Sequence, residues 1–249
     1  VGPPSLPMIL IGHNDFYSWG FTVANVDAED LFLEKMNPDN PLQYEYKGEW
    51  KDATIVEEEI HVKDRPKPHV EKIIRTVHGP IVSDALDSPN RQISMQSISL
   101  QPSEIFKGIN TLIHGKGWND FVEAVKLINS PQQNITYADI EGNIGSYVSG
   151  TAPVRKSGDG TRINPGWTGE FDWEGQVPFE EMPHCFNPEK GFVVTANNCP
   201  IWSEDYPHYL SKAWDPGYRA KRITELIEAG SDSTESPSTG TSSKFDAKD

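Results

Sequence analysis

The sequence predicts an α+β fold, mainly antiparallel β-structure with a few helices. Apolar and polar residues alternate along several segments of the first hundred positions, the period of a strand with one buried face. Trp118, Phe121, Val122, Val125 and Ile128 instead recur at helical spacing, a single apolar stripe. Two strand-like runs, 134–139 and 144–148, face each other across Glu141-Gly142-Asn143, a turn sequence.

Taken in order, Met8, Ile9, Leu10 and Ile11 form an apolar run that stops at Gly12-His13-Asn14-Asp15. It reads as a short strand ending at a polar sheet edge, where sites usually lie. After Trp19-Gly20-Phe21-Thr22, three acidic residues fall within four positions (Asp27, Glu29, Asp30), a pattern able to hold a hard cation. Residues 31–34 are a short apolar segment, and Asn37-Pro38-Asp39-Asn40-Pro41 breaks the chain. Residues 43–46, 53–62 and 70–77 read as strands, with Arg65-Pro66-Lys67-Pro68 between the last two. Residues 75–82 read as strand, tight turn, strand, and 93–100 alternates again. The helix at 118–128 ends at Ser130-Pro131, because a residue before proline avoids helical dihedrals. A Gly-, Pro- and Trp-rich loop follows the hairpin over 150–179. Residues 192–196 are expected as a last apolar strand, terminated by Asn197-Asn198-Cys199-Pro200. The final helix, 218–229, places Ile223, Leu226 and Ile227 on one face, and Asp215-Pro216 suits its start. From Gly230 the chain turns to Ser, Thr, Gly and Pro, too polar to offset its ordering entropy. One domain is therefore expected over 1–229, with a disordered tail over 230–249.

Composition narrows the function classes. The 249 residues include 37 acidic and 22 basic side chains, a net charge of −15 that repels phosphate backbones and argues against nucleic-acid binding. No apolar run approaches the ~20 residues of a membrane span. Cys185 and Cys199 form no CxxC pattern, which argues against zinc and allows one disulfide. The opening Val1-Gly2-Pro3-Pro4 has no basic or apolar signal region and no initiator Met, so the chain reads as cut at its front.

Several segments together resemble the penicillin acylase (penicillin amidase) family of N-terminal-nucleophile hydrolases. They are Gly12-His13-Asn14-Asp15, Trp19-Gly20-Phe21-Thr22, Asp27-Ala28-Glu29-Asp30 and Arg75-Thr76-Val77-His78-Gly79-Pro80. Further on come Tyr137-Ala138-Asp139 with Gly142-Asn143-Ile144-Gly145, Asp172-Trp173-Glu174-Gly175, Ala196-Asn197-Asn198 and Trp214-Asp215-Pro216-Gly217-Tyr218-Arg219. The resemblance implies an αββα sandwich, here partial, and an internal fragment of the family's large (β) subunit. It implies hydrolysis of linear amides, of the penicillin or N-acyl-homoserine-lactone acylase type. In that chemistry an N-terminal Ser, freed by precursor cleavage, forms an acyl-enzyme with its own α-amine as base. That Ser is expected outside this chain, as are the small (α) subunit and the front of the large one, so the isolated chain is expected to be inactive.

By the same resemblance, Asn197 matches an oxyanion-hole side chain, Val23 a backbone N–H donor to the same oxyanion, and Arg219 an arginine that orients the Asn. Ile11 and Phe21 match positions lining an apolar acyl pocket. Asp27 and Asp30 match carboxylate ligands of a structural Ca²⁺ and Glu29 a residue that binds it through its backbone carbonyl, with Gly160 near a further carbonyl ligand. A periplasmic or secreted location is implied too.

Each residue also has a plainer reading. Asn197-Asn198 suits a turn, the acidic trio a solvated loop, and Arg219 an ion pair with Asp215 or Glu225. His13 and His78 adjoin Gly in tight turns and are expected to be structural, their rings bonded to nearby backbone. Trp167, Phe171 and Trp173 are expected in packing. The rival class is a secreted, non-catalytic β-rich binding or structural domain.

Overall fold

The computed structural model describes residues 8–88, 90–201, 203 and 205–232. The expectations for the opening residues and for the low-complexity segment beyond 232 lie outside them. The first half contains β1 (Gly12–His13), β2 (Tyr17–Val23), β3 (Glu29–Leu33), β4 (Met36–Asn37), β5 (Asn40–Tyr46) and β6 (Glu49–Asp52). It continues with β7 (Thr54–Ile60), β8 (His69–Thr76), β9 (Gly79–Pro80) and β10 (Ile93–Ser97). Two helices follow, α1 (Ile105–His114) and α2 (Trp118–Lys126). Then come β11 (Gln133–Asp139), β12 (Ile144–Val148), β13 (Pro153–Arg155), β14 (Asn164–Pro165), β15 (Trp173–Gln176), β16 (His184–Phe186) and α3 (Tyr218–Asp232).

The central element is an antiparallel sheet in the order β1-β2-β11-β12-β16. Alternation gives it one aromatic face: Tyr17 and Trp19 on β2, Ile135 and Tyr137 on β11, and Tyr147 on β12 are buried. Against that face lie α1 and α2, contributing Ile109, Leu112, Phe121, Ala124 and Val125, with Ile128 just after α2. Phe121 is fully buried and meets Tyr17 and Tyr137 at ring-centroid distances of 6.3 and 5.0 Å. The Tyr17 hydroxyl donates to the Leu112 carbonyl, and burial pushes its pKa up to about 12. The helices cross closely at Gly108, where a Cβ would stand 2.9 Å from both the Ala124 carbonyl and Ile128. Smaller sheets, β10-β3-β14, β13-β15, β4-β5-β6 and β7-β8-β9, form the rest.

Several expectations change. Residues 8–11 are not a strand: the Leu10 carbonyl accepts the Trp19 indole N–H (2.7 Å), a side-chain bond in place of a ladder, and pairing begins at Gly12. Residues 192–196 pair with no strand; the Ala196 N–H goes to the Asn198 side chain (3.0 Å). The expected loop over 150–179 holds β13, β14 and β15. Helix α1 went unread, although Ile105, Ile109 and Leu112 fall at i, i+4 and i+7. The last helix runs on to Asp232, past the expected domain end.

Truncating Phe121 to Ala should cost about 3–5 kcal/mol, the range for emptying a buried aromatic site. Denaturant unfolding of the protein carrying this chain measures it; a loss below about 1 kcal/mol would mean the helix layer does not depend on this ring.

Candidate active site

The end of β2 and the segment after residue 196 meet at one point. The Asn197 side-chain amide donates from Nδ2 to the Val23 carbonyl (2.9 Å), and its Oδ1 accepts from Arg219 Nη2 (3.0 Å). Arg219 also donates to Asp215 Oδ2 (2.9 Å), one turn earlier. The guanidinium carries only donors, so it selects the amide orientation that turns the NH₂ toward Val23. One N–H of that NH₂ is spent on Val23; the second is available to an incoming oxygen.

The β2–β11 ladder supplies the other donor. Ala24 N–H donates to the Gln132 carbonyl (3.1 Å), making this a hydrogen-bonded pair. The next pair, Val23 and Gln133, is then non-hydrogen-bonded, with the backbone groups of each turned away from the other strand. Gln133 directs its own N–H to Ser149 Oγ and accepts from Ser149 N. Val23 correspondingly points both N–H and C=O toward the open side where Asn197 sits. Val23 is 51% exposed, so this corner is open to a ligand. Two N–H donors of neutral groups at one accessible point can stabilise a developing oxyanion.

The backbone around Asn197 is tied down. It has φ +62°, the left-handed region that Asn tolerates. Its carbonyl accepts from Asp215 N (3.0 Å) and Asn25 Nδ2 (3.4 Å). The turn conformation and the side-chain bond to Val23 thus coexist in one residue. Of the two partners weighed for Arg219, the structure takes Asp215, whose carboxyl the guanidinium holds below the usual carboxylate range. Asn25 was missed by sequence reasoning, though its left-handed backbone (φ +50°) is a conformation for which Asn is one of the few suited residues.

The remaining expected residues are spread out. Phe21, two residues before Val23 on β2, is half-buried against the core; Ile11, just before β1, is 40% exposed. The acidic trio does not close on a common point. Asp30 is bonded by Arg155 and by the Trp173 indole, Asp27 faces Arg155 (3.3 Å), and Glu29 accepts from Ser97 Oγ (2.9 Å). Among the described residues no group of three or more His, Cys, Asp or Glu could hold a metal ion. As arranged, Asp27, Glu29 and Asp30 do not fit Ca²⁺.

Both cysteines are free thiols. Cys199 donates to the Ile201 carbonyl (2.9 Å), and burial pushes its pKa up, the opposite of an activated nucleophile. His13 faces the Asn14 carbonyl (3.3 Å), the expected backbone partner. His78 differs from expectation: its ring nitrogens face two carboxylates, Glu34 (2.9 Å) and Asp172 (3.2 Å), and it stacks on Phe32. Buried in this network, it is held away from any substrate.

Comparisons with known proteins bear on the family and the fold. The family model described as penicillin amidase matches residues 1–248. The chain belongs to the penicillin amidase family. It is 31% identical over 229 residues to an acyl-homoserine lactone acylase, QuiP, of Pseudomonas fluorescens, covering 90% of this chain and 28% of that protein. It is 30% identical over 234 residues to penicillin G acylase of Escherichia coli, covering 91% and 26%. The solved thermostable penicillin G acylase from Alcaligenes faecalis superposes with a TM-score of 0.74 at 25% identity, over 92% of this chain and 41% of that one. This family member thus spans less than a third of the length of those two relatives. Its α+β fold is that of an N-terminal-nucleophile hydrolase.

The His78 network gives a pH prediction. Burial raises the Asp172 carboxyl, but hydrogen bonds from Lys47, Tyr46 and His78 outweigh it and leave the pKa lowered. A lowered carboxylate adds stability above its unfolded value of about 3.9 and loses it as pH falls through the folded value. The melting-temperature gap between wild type and Asp172→Asn should therefore be constant above about pH 5 and shrink below pH 4. A gap that holds at acid pH would show that the carboxylate charge is not what matters.

Proposed function

We propose that this member of the penicillin amidase family forms part of an amidohydrolase cleaving linear amides, with Asn197 Nδ2 and Val23 N–H as the oxyanion hole. The observation that carries the reading is the bond from Asn197 Nδ2 to the Val23 carbonyl, with Arg219 fixing the amide by its bond to Oδ1. The reaction needs three more elements: a nucleophile, a base, and a surface for the acyl group. In this reading an N-terminal Ser outside this chain attacks the carbonyl, and its α-amine, with an ordinary pKa near ~8, takes the hydroxyl proton. The carbonyl oxygen gains charge as the tetrahedral intermediate forms and moves into the two N–H groups. Collapse of the intermediate expels the amine and leaves an acyl-enzyme, which water then hydrolyses through the same oxyanion contacts. Ile11 and Phe21 offer apolar surface on the β2 side, which favours an apolar acyl group over a charged one.

In this scheme Arg219 is a positioning residue: it touches Asn197, not the reacting atoms. Asn197→Ala in the full protein should lower kcat about 10²–10³-fold with KM little changed, because the donor acts on charge that develops only in the transition state. Arg219→Met should cost less and add almost nothing in the double variant, since both changes remove one ordered amide. A near-normal kcat for Asn197→Ala, with an unchanged melting temperature, would reject the oxyanion role.

A further inference from the structure

The loop after β2 has the charge pattern of a cation site, yet a guanidinium fills its centre. Arg155 ends β13, and its side chain is 4% exposed. Its Nε lies 2.8 Å from Asp30 Oδ2 and its Nη2 3.0 Å from Asp30 Oδ1, a two-pronged fork on a fully buried carboxylate. The same Nη2 is 3.3 Å from Asp27 Oδ1 and 3.4 Å from the Asp27 carbonyl. The Trp173 indole N–H supplies a further donor to Asp30 Oδ2. From the opposite side comes Gly160, at φ +74°, where a Cβ would stand 2.2 Å from Asp30 Oδ1 and 2.7 Å from Arg155 Nη2.

We propose that Arg155 is a built-in cation: its guanidinium takes the place between Asp27 and Asp30 that a divalent metal would occupy, and it holds the loop after β2 without calcium. Calcium needs six to eight oxygen ligands at about 2.3–2.6 Å. Here both oxygens of Asp30 already accept N–H bonds, and a dication at this point would meet a fixed positive charge. The remaining guanidinium nitrogen, Nη1, is buried without a hydrogen-bond partner, and Arg155 and Tyr209 both line one cavity. That corner calls for a hydrogen-bond acceptor such as water, not for a metal.

The clamp bears on the candidate active site through a short path. The chain runs from Val23 through Asn25, which donates to the Asn197 carbonyl, to Asp27, whose N–H is tied to the Leu210 carbonyl (2.7 Å). Arg155 anchors the far end of that path. It is a positioning residue for the loop, and melting reads its role independently of catalysis.

The test is the melting temperature of the intact protein in EDTA and in millimolar calcium chloride. Wild type should melt alike in both, and a calcium-dependent rise would overturn the proposal. Arg155→Gln should lower the melting temperature in EDTA by about 10 °C, because the buried Asp30 and the half-buried Asp27 lose their partner. Calcium should restore part of that loss by entering the vacated space. Arg155→Lys, which keeps the charge but not the fork, should fall between the two and serves if the Gln variant does not fold. A substitution that melts like wild type would overturn the proposal as well.

Discussion

The antiparallel ladder between β2 and β11 is the constraint on which the rest depends. Its register, from Tyr17 opposite Asp139 to Val23 opposite Gln133, sets two phases at once. The side-chain phase turns Tyr17, Trp19, Ile135 and Tyr137 toward α1 and α2 and so places the core. The hydrogen-bond phase leaves Val23, at the strand's end, with its backbone groups facing outward. A slip of one residue would expose the aromatics and would also turn the Val23 N–H inward to the ladder. Burial of the aromatic face therefore fixes the position of a donor on the opposite margin of the strand. Core packing energy, of the order of 1.5–3 kcal/mol per large side chain, enforces the geometry of a group that itself contributes little to stability.

Legibility in the sequence followed the same division. The β11–β12 hairpin and α2 were readable because packing on one face leaves a period of two or 3.6 in the sequence, whereas β7 and β8, with no buried residue, were read from their alternation and their β-branched residues alone. Helix α1 carried such a period and was overlooked. Strands β4, β14 and β16 could not be read, since two or three residues are too few to show any period. Residues 8–11 and 192–196 looked like strands because they are apolar, but apolarity reports burial, not pairing. Leu10 is held by a tryptophan indole, and Thr195 by the hydroxyl of Thr22 (2.7 Å), so both segments are anchored through side chains without a ladder. At the candidate site, Asn197, Val23 and Arg219 were legible only through family resemblance. Composition cannot say that residues 174 positions apart share a hydrogen bond. Arg155 was not legible at all, because nothing local marks an arginine at the end of a three-residue strand as the partner of an acidic loop.

The two charged clusters illustrate why the dielectric surroundings, more than the pairing itself, decide what a charge does. Arg219 is exposed and Asp215 half-buried, so solvent partly screens their attraction and the pair adds little to stability. Their effect is orientational, because the guanidinium permits only one rotation of the Asn197 amide. Arg155 and Asp30 are buried. Each would be strongly destabilising alone, so the pair acts as an all-or-none lock. One arginine aims a side chain; the other holds a loop.

These two functions converge on the segment from Val23 to Asp30. An oxyanion hole must be in place before charge develops, since reorganising its dipoles would consume the energy it is meant to supply. Under the proposed function Val23 would meet that demand through the sheet, but Asn197 lies in irregular chain with a left-handed backbone and would drift without tethers. Its tethers come from three separate places: the Val23 carbonyl, the Arg219–Asp215 pair, and the side chain of Asn25. Two of the three sit on or just after β2, so the position of Asn197 inherits the rigidity of that segment. The segment is fixed by the β11 ladder at its start and by Arg155 on Asp27 and Asp30 at its end. A mobile cation at that end would make the preorganisation of the donors depend on the ion's concentration. A covalently attached guanidinium removes that dependence, because its local concentration is fixed by the chain.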